Sequence, residues 1–511
     1  MTRRNKLVVA GTLAMLLLGV GLVAGSRQGL SVGALLHVGF GWGAKAPPKD
    51  VVAARLQVPK GFTVSRYAEG LGNVRFLRFT KAGDLLVSVP RAGKVLLLGH
   101  GQPNRPLPAP RTLMEGLKRP HGLDFYDGWL YIAETDAVGR IRFDDRSGQV
   151  SGPFERVVTG LPEGGNHWTR TVRFGPDGLM YVSVGSSCNI CIEEDRRRAA
   201  VLRYRPDGSG EELFATGLRN SVGLDFHPGT GELYATDNGR DLLGDDFPPC
   251  ELNRVVRGGF YGWPYANGDR VIDPDFGKGH EAQVAATIPP VFSFRAHNAP
   301  LGMTFVRGER LPKEFRGSVL VALHGSWNRK RKDGYRVVSL HFDSSGRIEQ
   351  RDFLTGFLRD QDQDVIGRPV DVAEGPDGAI YVSDDYTGSI FRVAYGETAD
   401  SAPVAAAPPR TAPTFQGPSA AMGAKAMPET ERAAAADRGA QLFAKWSCSG
   451  CHVPGKTTAG VVPHLLSGVG GRYSLDGLTE YFLAPRPPMP AFPMTETERR
   501  DLAVYLASTY P

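Results

Sequence analysis

A short pattern returns six times in the first four-fifths of the chain: a turn rich in Gly, Pro or Asp, then a small apolar strand with one large side chain at a fixed place. The copies read AGDLLVSV around Leu86, YDGWLYIAE around Tyr131, GPDGLMYVSVG around Tyr181, GTGELYATD around Tyr234, FRGSVLVAL around Leu320 and GPDGAIYVSDD around Tyr381. Their anchors stand 45, 50, 53, 86 and 61 residues apart. A unit of that length cannot bury an apolar face alone, whereas four-stranded units packed around an axis can, so the period predicts a mainly β fold, a β-propeller. Six copies predict six blades, with insertions in the later ones. The 64 glycines and 38 prolines supply the turns, and the 41% apolar content excludes a mainly disordered chain.

The propeller is expected over residues 50–396. From 397 to 428 the chain turns to Ala, Pro and Ser with few large apolar residues, a composition that cannot bury enough surface to fold and reads as an extended linker. Residues 429–511 are expected to form a small all-α domain, with helices near Thr430–Lys445 and Thr495–Thr509, the second opened by a Thr495/Glu498 capping box. At the other end, Arg3, Arg4 and Lys6 precede Leu7–Ala24, an uncharged stretch with Thr12 as its one clearly polar residue. Residues 1–28 therefore read as an export signal. The apolar stretch is at the lower limit for a bilayer span and lacks a clean small-x-small cleavage site, so a cleaved peptide and a membrane anchor through residues 7–24 both stand. Either way the chain is expected in the periplasm, free or held at the inner membrane. The net charge of +6 is small and its basic runs are scattered, Arg329–Lys332 reading as a loop, which excludes a nucleic-acid binder.

Cys448-Ser449-Gly450-Cys451-His452 places two thiols where they form thioethers to haem vinyl groups while the adjacent imidazole reaches the iron. A zinc or dithiol Cys-x-x-Cys needs a different context, so one covalent c-type haem is expected, with Cys448, Cys451 and His452 holding it. A thioether as sixth ligand would raise the potential and close the iron to other ligands, which suits electron transfer. Met489, in Pro-Pro-Met-Pro-Ala-Phe-Pro, is the expected ligand and Met494 its rival. This loop resembles the Met-Pro-x-Phe ligand loop of small bacterial cytochromes c, and the resemblance covers about Glu429 to Pro511.

In propellers, function collects in the loops at one end of the channel. The polar residues placed there are His121 after Arg119-Pro120, His167 after Gly165-Asn166, Arg219-Asn220, His324 in His-Gly-Ser-Trp-Asn-Arg, and Arg368 in Gly-Arg-Pro-Val-Asp. On spacing alone a structural hydrogen bond is the simpler reading of a lone loop histidine. The chain, however, resembles the soluble quinoprotein glucose dehydrogenase and L-sorbosone dehydrogenase family over about Val58 to Tyr395. The segments that carry this are His167-Trp168-Thr169-Arg170 before Gly175-Pro176-Asp177-Gly178, then Gly217-Leu218-Arg219-Asn220, and Gly258-Gly259-Phe260-Tyr261-Gly262-Trp263-Pro264.

The family's six-bladed propellers bind pyrroloquinoline quinone and calcium, and the resemblance implies both here. It matches the catalytic base to His167, which would take a hydroxyl proton from the sugar as hydride leaves; only a neutral imidazole can do so. Arg219 would pair with the oxyanion developing on the quinone, and Asn220 would hold the same ring. Arg368 matches an arginine on a cofactor carboxylate, but a second arginine expected two positions on is Val370, leaving His324 and Arg329 as substitutes; a solvated loop is an equal reading of Arg329. Calcium ligands carry over to the carbonyls of Gly239 and Arg240, the latter standing where the family has proline, with Asp245, Asp246 and Glu251 near in sequence. His121 would face the substrate, and Trp168 or Trp327 would stack on a pyranose unless simply packed in the core.

Cys188-Asn189-Ile190-Cys191 lacks the following His; a disulfide closing one loop is expected in an oxidising compartment, with zinc the alternative. Cys250 is then left over and expected to be buried and inert. The whole reads as an exported quinohaemoprotein that oxidises an aldose or sugar aldehyde and passes electrons through haem c to a soluble cytochrome, a terminal oxidase or a membrane quinone. The alternative is a non-catalytic propeller that binds sugar or a partner and carries an electron-transfer cytochrome.

Overall fold

A computed structural model describes residues 46–100, 108–343, 345–396, 420–453, 466, 469–483, 485, 489, 492 and 494–510. The described residues fall into two compact units, 46–396 and 420–510. The segment 7–24, read above as signal or anchor, lies outside them.

The first unit is a six-bladed β-propeller. Its blades are the sheets that begin with Leu77–Phe79, Leu123–Tyr126, Arg170–Phe174, Leu224–Phe226, Pro300–Phe305 and Pro369–Glu374, each of four strands pairing antiparallel with the next, the third blade adding a fifth strand, Gly259–Phe260, parallel to Glu212–Thr216. These six innermost strands contact one another in a closed ring around the axis. The last blade borrows its outer strand from the start of the chain: Phe62–Ala68 pairs antiparallel with Ser389–Tyr395 and closes the circle. The long interval before Leu320 is filled by the Ala266–Asn267/Val271–Ile272 hairpin and the helix Glu281–Ala286, inserted before the fourth strand Phe292–Phe294 of blade 4. The interval before Tyr381 holds the extra hairpin Leu358–Arg359/Asp364–Val365.

The repeated side chain lies on the second strand of every blade and explains why the pattern recurs. Tyr131, Tyr181, Tyr234 and Tyr381 each meet, edge to face, the phenylalanine that ends an innermost strand of the next blade: Phe174, Phe226, Phe305 and Phe79, with ring centroids 4.6 to 5.4 Å apart. Such contacts stabilise by about 0.5–1.5 kcal/mol each beyond the area buried. In blades 3 and 6 the turn before that strand is held by its aspartate, Asp177 or Asp377, which accepts from the tyrosine hydroxyl at 2.8 and 2.9 Å. Gly178 and Gly378 close these turns at φ +73° and +76°, where any side chain is strained.

Innermost strands are also joined by carboxylates. Asp124 accepts the Phe174 amide at 2.8 Å, Asp225 the Phe305 amide at 2.8 Å, and Asp371 the Leu77 amide at 2.9 Å, each crossing to the neighbouring blade. Asp124 further takes two bonds from Arg78, at 2.6 and 2.9 Å.

In the second unit the described elements are helices: Ala420–Lys425, Glu429–Lys445, Ser449–His452, Val469–Arg472, Leu475–Tyr481 and Glu496–Thr509. The Thr495/Glu498 capping box is formed, and Arg438 bridges to Asp501 at 2.7 Å between the two long helices.

Replacing Asp124 removes a buried acceptor serving two backbone amides and leaves Arg78 without its partner, so Asp124→Ala is expected to cost about 3 kcal/mol. Denaturant unfolding of the propeller measures it; a loss under about 0.5 kcal/mol would show that the carboxylate does not join the blades.

Candidate functional site

Since every blade begins at the axis, the six innermost strands run the same way, and the loops before them gather at one mouth of the channel. His121, His167, Asn220, His297, Arg368 and Arg75 all immediately precede those strands, and His324, Ser186, Gly239 and Asp385 follow the antiparallel second strands that end at the same mouth. The sequence-predicted propeller residues therefore do collect at one end. A cavity of about 910 Å³ is at the other end, around Arg78, Arg173, Asp225 and Arg307, and is lined by none of them.

His167 is the best-defined group. Its Nδ1 stands 2.9 Å from the Ser186 carbonyl and 2.9 Å from the Ser186 hydroxyl, whose own proton goes to the Cys188 carbonyl at 2.7 Å. A carbonyl only accepts, so Nδ1 carries the hydrogen and the lone pair is on Nε2, the tautomer a general base requires. Burial of the imidazole, then the Arg219 guanidinium, push its pKa down to about 3. Asn220 stands beside it: a methyl on Gly185 would come within 2.6 Å of the His167 side chain and 2.7 Å of Asn220 Oδ1. That oxygen is buried with no hydrogen-bond partner among the described residues, an open acceptor next to the imidazole.

Arg219 departs from its expected role. Its Nε donates to the Asn189 carbonyl, Nη1 to the carbonyls of Asn238 and Gly239, and Nη2 to Asn189 Oδ1 and Asp241, all at 2.9–3.1 Å. A guanidinium has five N–H donors and all five are used, so Arg219 contributes charge and scaffolding while leaving no donor for an oxyanion. Below it, Asp237 accepts the amides of Arg219 and Asn220 at 2.9 and 2.6 Å and sits opposite Glu251 across the sheet. Burial first, and for Asp237 the neighbouring Glu251, push both carboxyls upward.

Several expectations are corrected. His121 is fully buried against Phe76, its ring centroid 4.3 Å away, and under the edge of Trp168, which withdraws it from direct sugar contact. Trp168 has Arg119 stacked 3.9 Å over its ring, so that face is taken. Arg329 is buried and donates to the carbonyls of Asp245 and Ala296 and to the Asp246 carboxylate, bracing a loop instead of clamping a carboxylate ligand. His324 Nε2 donates to the Asp385 carboxylate at 2.9 Å, whose other oxygen takes Arg75 at 2.5 Å. Burial, then Arg368, lower the His324 pKa to about 4. Arg368 stays half-buried and donates to the His324 and Gly325 carbonyls at 3.2 Å. Val370 is fully buried with Phe76, Val222 and Leu301, an apolar setting with no room for a charge.

At the calcium position the Gly239 carbonyl keeps one lone pair after accepting Arg219 Nη1, while the Arg240 guanidinium is occupied by Asp273 at 2.8 Å and Asp275 at 2.9 Å, leaving its carbonyl as the donor it offers. Cys188 and Cys191 form the expected disulfide, and Cys250 is buried, its thiol pushed up to about 11 by burial. In the helical unit a cavity of about 160 Å³ is lined by Cys448, His452 and Met489 with Phe443, Tyr473 and Leu502 among its apolar walls. Met494 is buried in the surrounding core and does not line it. Cys451 is in the short helix Ser449–His452, and its side chain is outside the described residues. Residue pattern missed Ser186, Asn189 and the Arg75–Asp385 pair; the only signal near the first two was the Cys-x-x-Cys that flanks Asn189.

Fold and site define a six-bladed propeller with a neutral, tautomer-locked histidine at one channel mouth. The chain belongs to the glucose/sorbosone dehydrogenase family, whose model matches residues 130–392. It is 34% identical over 298 residues to an uncharacterized protein of Borreliella burgdorferi, covering 56% of this chain and 78% of that one. It is 27% identical over 348 residues to the aldose sugar dehydrogenase YliI of Escherichia coli, covering 62% and 84%. The holo pyranose dehydrogenase PQQ domain from Coprinopsis cinerea shares the fold, with a TM-score of 0.58, 22% identity and coverage of 69% of this chain and 98% of that one. Separately, 83 residues, 16% of this chain, are 37% identical to cytochrome c-552 of Bradyrhizobium diazoefficiens, covering 79% of that protein.

In the cofactor-free protein the His167 imidazole should remain uncharged from pH 8 down to about pH 4, because its folded pKa is depressed. The unfolded chain takes that proton near pH 6.5, so this residue's contribution to stability falls as pH drops below that value. Titration of ¹⁵N-histidine NMR signals checks this; a His167 midpoint near 6.5 would refute it.

Proposed function

We propose that the chain is an exported quinohaemoprotein that oxidises an aldose or sugar aldehyde and delivers the electrons through a C-terminal haem c to a respiratory acceptor. The observation that carries the reading is His167: Nδ1–H fixed on the Ser186 carbonyl, Nε2 free of protein partners among the described residues, and the ring held neutral, on a propeller of the glucose/sorbosone dehydrogenase family. Relatives named as pyrroloquinoline quinone-dependent sugar dehydrogenases support that cofactor here.

The residues fit it. The buried, unpartnered Asn220 Oδ1 awaits a donor, and Arg368 with Arg75 provides positive charge where carboxylates would be bound. Bound pyrroloquinoline quinone supplies a two-electron acceptor for hydride. His167 Nε2 takes the proton of the substrate hydroxyl, and the imidazolium that results is stabilised as the Nδ1–H bond to Ser186 strengthens. Arg219 fixes the 238–239 carbonyls, and Asp237 the Asn220 backbone, around that reaction. Calcium would be held by the Gly239 and Arg240 carbonyls, oxygen donors that suit it, with Arg219 limiting how closely it sits to Gly239.

In the helical unit Cys448 and Cys451 would hold haem through thioethers, and the His452 imidazole and Met489 thioether would bind its iron; the cavity lined by Cys448, His452 and Met489 and the similarity to cytochrome c-552 support this. Haem c supplies the one-electron outlet a quinone needs, and covalent linkage in one chain keeps it at high effective concentration. The acceptor beyond it is a soluble cytochrome, a terminal oxidase or a membrane quinone. Haem attachment and the disulfide both point to the periplasm, with residues 7–24 as signal or inner-membrane anchor.

Protein reconstituted with pyrroloquinoline quinone and calcium is expected to reduce its own haem on addition of an aldose or sorbosone, and His167→Ala to slow that step by about 10²–10⁴-fold. An unchanged ferric spectrum across a sugar panel would overturn the enzyme reading and leave the non-catalytic propeller. Met489→Ala should lower the haem midpoint potential and admit exogenous ligands, whereas Met494→Ala should do neither; the reverse pattern in a spectroelectrochemical titration would exchange the two methionines.

A further inference from the structure

Residues 185–193 make a short excursion between the second and third strands of blade 3, Met180–Val184 and Ala200–Tyr204. The excursion is tied to itself twice. Cys188 and Cys191 form a disulfide three residues apart, and the Glu193 carboxylate accepts from the Ser187 amide at 2.6 Å and its hydroxyl at 2.8 Å. A disulfide that closes so few residues restricts the denatured chain least, so its consequence is local.

The loop's other hydrogen bonds lead to the reactive centre. Ser186 receives His167 Nδ1 and donates its amide to the Arg219 carbonyl at 2.8 Å. Asn189 faces the Arg219 fork with two oxygens, its carbonyl on Nε and its Oδ1 on Nη2, both at 2.9 Å. The same Oδ1 accepts the Asp241 amide at 2.7 Å, and Asn189 Nδ2 returns a bond to the Asp241 carbonyl at 3.1 Å. The Asn166 amide, next to the base, donates to the Ser187 carbonyl at 2.7 Å. Gly165 before it sits at φ +74°, where a methyl would come within 2.3 Å of that carbonyl. Arg198 links the Gly185 carbonyl to those of Glu163 and Gly164, at 2.7–3.4 Å.

We propose that the disulfide-closed loop 185–193 is the positioning element of the reactive centre, with Ser186 fixing the tautomer of His167 and Asn189 fixing the guanidinium of Arg219. What the centre catalyses rests on the dehydrogenase reading above; how it is held rests on these bonds. A planar guanidinium keeps its orientation only while its acceptors keep theirs. The backbone carbonyl of Asn189 can hold Nε in register because its chain is pinned at both ends by the disulfide. Opening the ring frees Cys188, whose carbonyl orders the Ser186 hydroxyl, and with it the second acceptor of His167 Nδ1.

The test uses the full chain in three forms: Cys188→Ser with Cys191→Ser, Asn189→Ala, and Asn189→Asp, which keeps the side-chain acceptor. ¹⁵N-histidine NMR of the cofactor-free protein reads the tautomer directly. The wild type should show His167 as the Nδ1–H form alone, and the double serine variant a mixture of tautomers at an unchanged fold by circular dichroism. Titration with pyrroloquinoline quinone should show Asn189→Ala binding about tenfold more weakly, a loss of about 1.4 kcal/mol, with Asn189→Asp restoring most of it. A single tautomer in the double variant together with wild-type quinone affinity in Asn189→Ala overturns the proposal; if the double variant does not fold, the Asn189 pair decides alone. The NMR readout needs no turnover. Sugars that fail to reduce the haem would thus sink the dehydrogenase reading while the tautomer still tests the loop.

Discussion

Closure of the ring by Phe62–Ala68 against Ser389–Tyr395 is the constraint on which the rest depends. An open sheet of six blades would present twelve faces and bury ten; joining the ends buries the last two and removes two strand edges. It also sets the site. Arg75 comes from blade 1, His167 from the approach to blade 3, Asn220 from blade 4, His324 from blade 5 and Asp385 from blade 6, and the Arg75–Asp385 bond at 2.5 Å spans the seam between first and last blades. Sequence separation of 310 residues is thus bridged by an ion pair that exists only in the closed ring.

Charge is kept near the axis under a common rule. Asp124, Asp225 and Asp371 on innermost strands each accept a backbone amide of the neighbouring blade; burial still raises Asp371 to about 6, and raises Asp384, at the end of a second strand and served by the Arg368 amide of its own blade, to about 7. Asp385 is the exception. Burial opposes its charge, yet His324, Arg75 and Arg368 together hold it well below the usual carboxylate range. Arginines dominate this side of the mouth, so histidines placed among them stay neutral. That setting favours proton acceptance and disfavours any mechanism that starts from a charged imidazole.

The propeller was legible because its repeat is local: turn aspartate, strand tyrosine and the period between copies are all adjacent in sequence, and each has a packing reason seen in the inter-blade rings. His167 and Asn220 were legible through resemblance, since nothing in Gly-Asn-His-Trp by itself distinguishes a base from a structural histidine. Arg219 was misjudged in role because its partners, Asn189, Asn238 and Asp241, come from separate loops and their geometry has no sequence period. His121 was expected to face the substrate because of the resemblance, but Phe76 and Trp168, from other blades, close over it. Ser186 and Asn189 carry no motif at all; only the cysteines beside them hinted that the loop was constrained.

Val370, where the resemblance led to an arginine being expected, is instead part of an apolar cluster. An arginine there would need a polar setting, whereas Val370 joins Phe76, Val222 and Leu301 in an apolar plug in the channel. One blade on, Arg75, the residue before Phe76, turns its guanidinium toward Asp385, and the nearby Arg368 charge helps to lower its pKa. Burial, offset by Asp385, lowers the pKa of Arg75, and its Nε has no partner among the described residues. A buried guanidinium with an unused donor is costly in isolation. It is tolerated here because Asp385 supplies the opposite charge and His324 fixes that carboxylate from the other side. Around Asp385, two arginines, Arg75 before the first blade and Arg368 before the last, therefore face one aspartate.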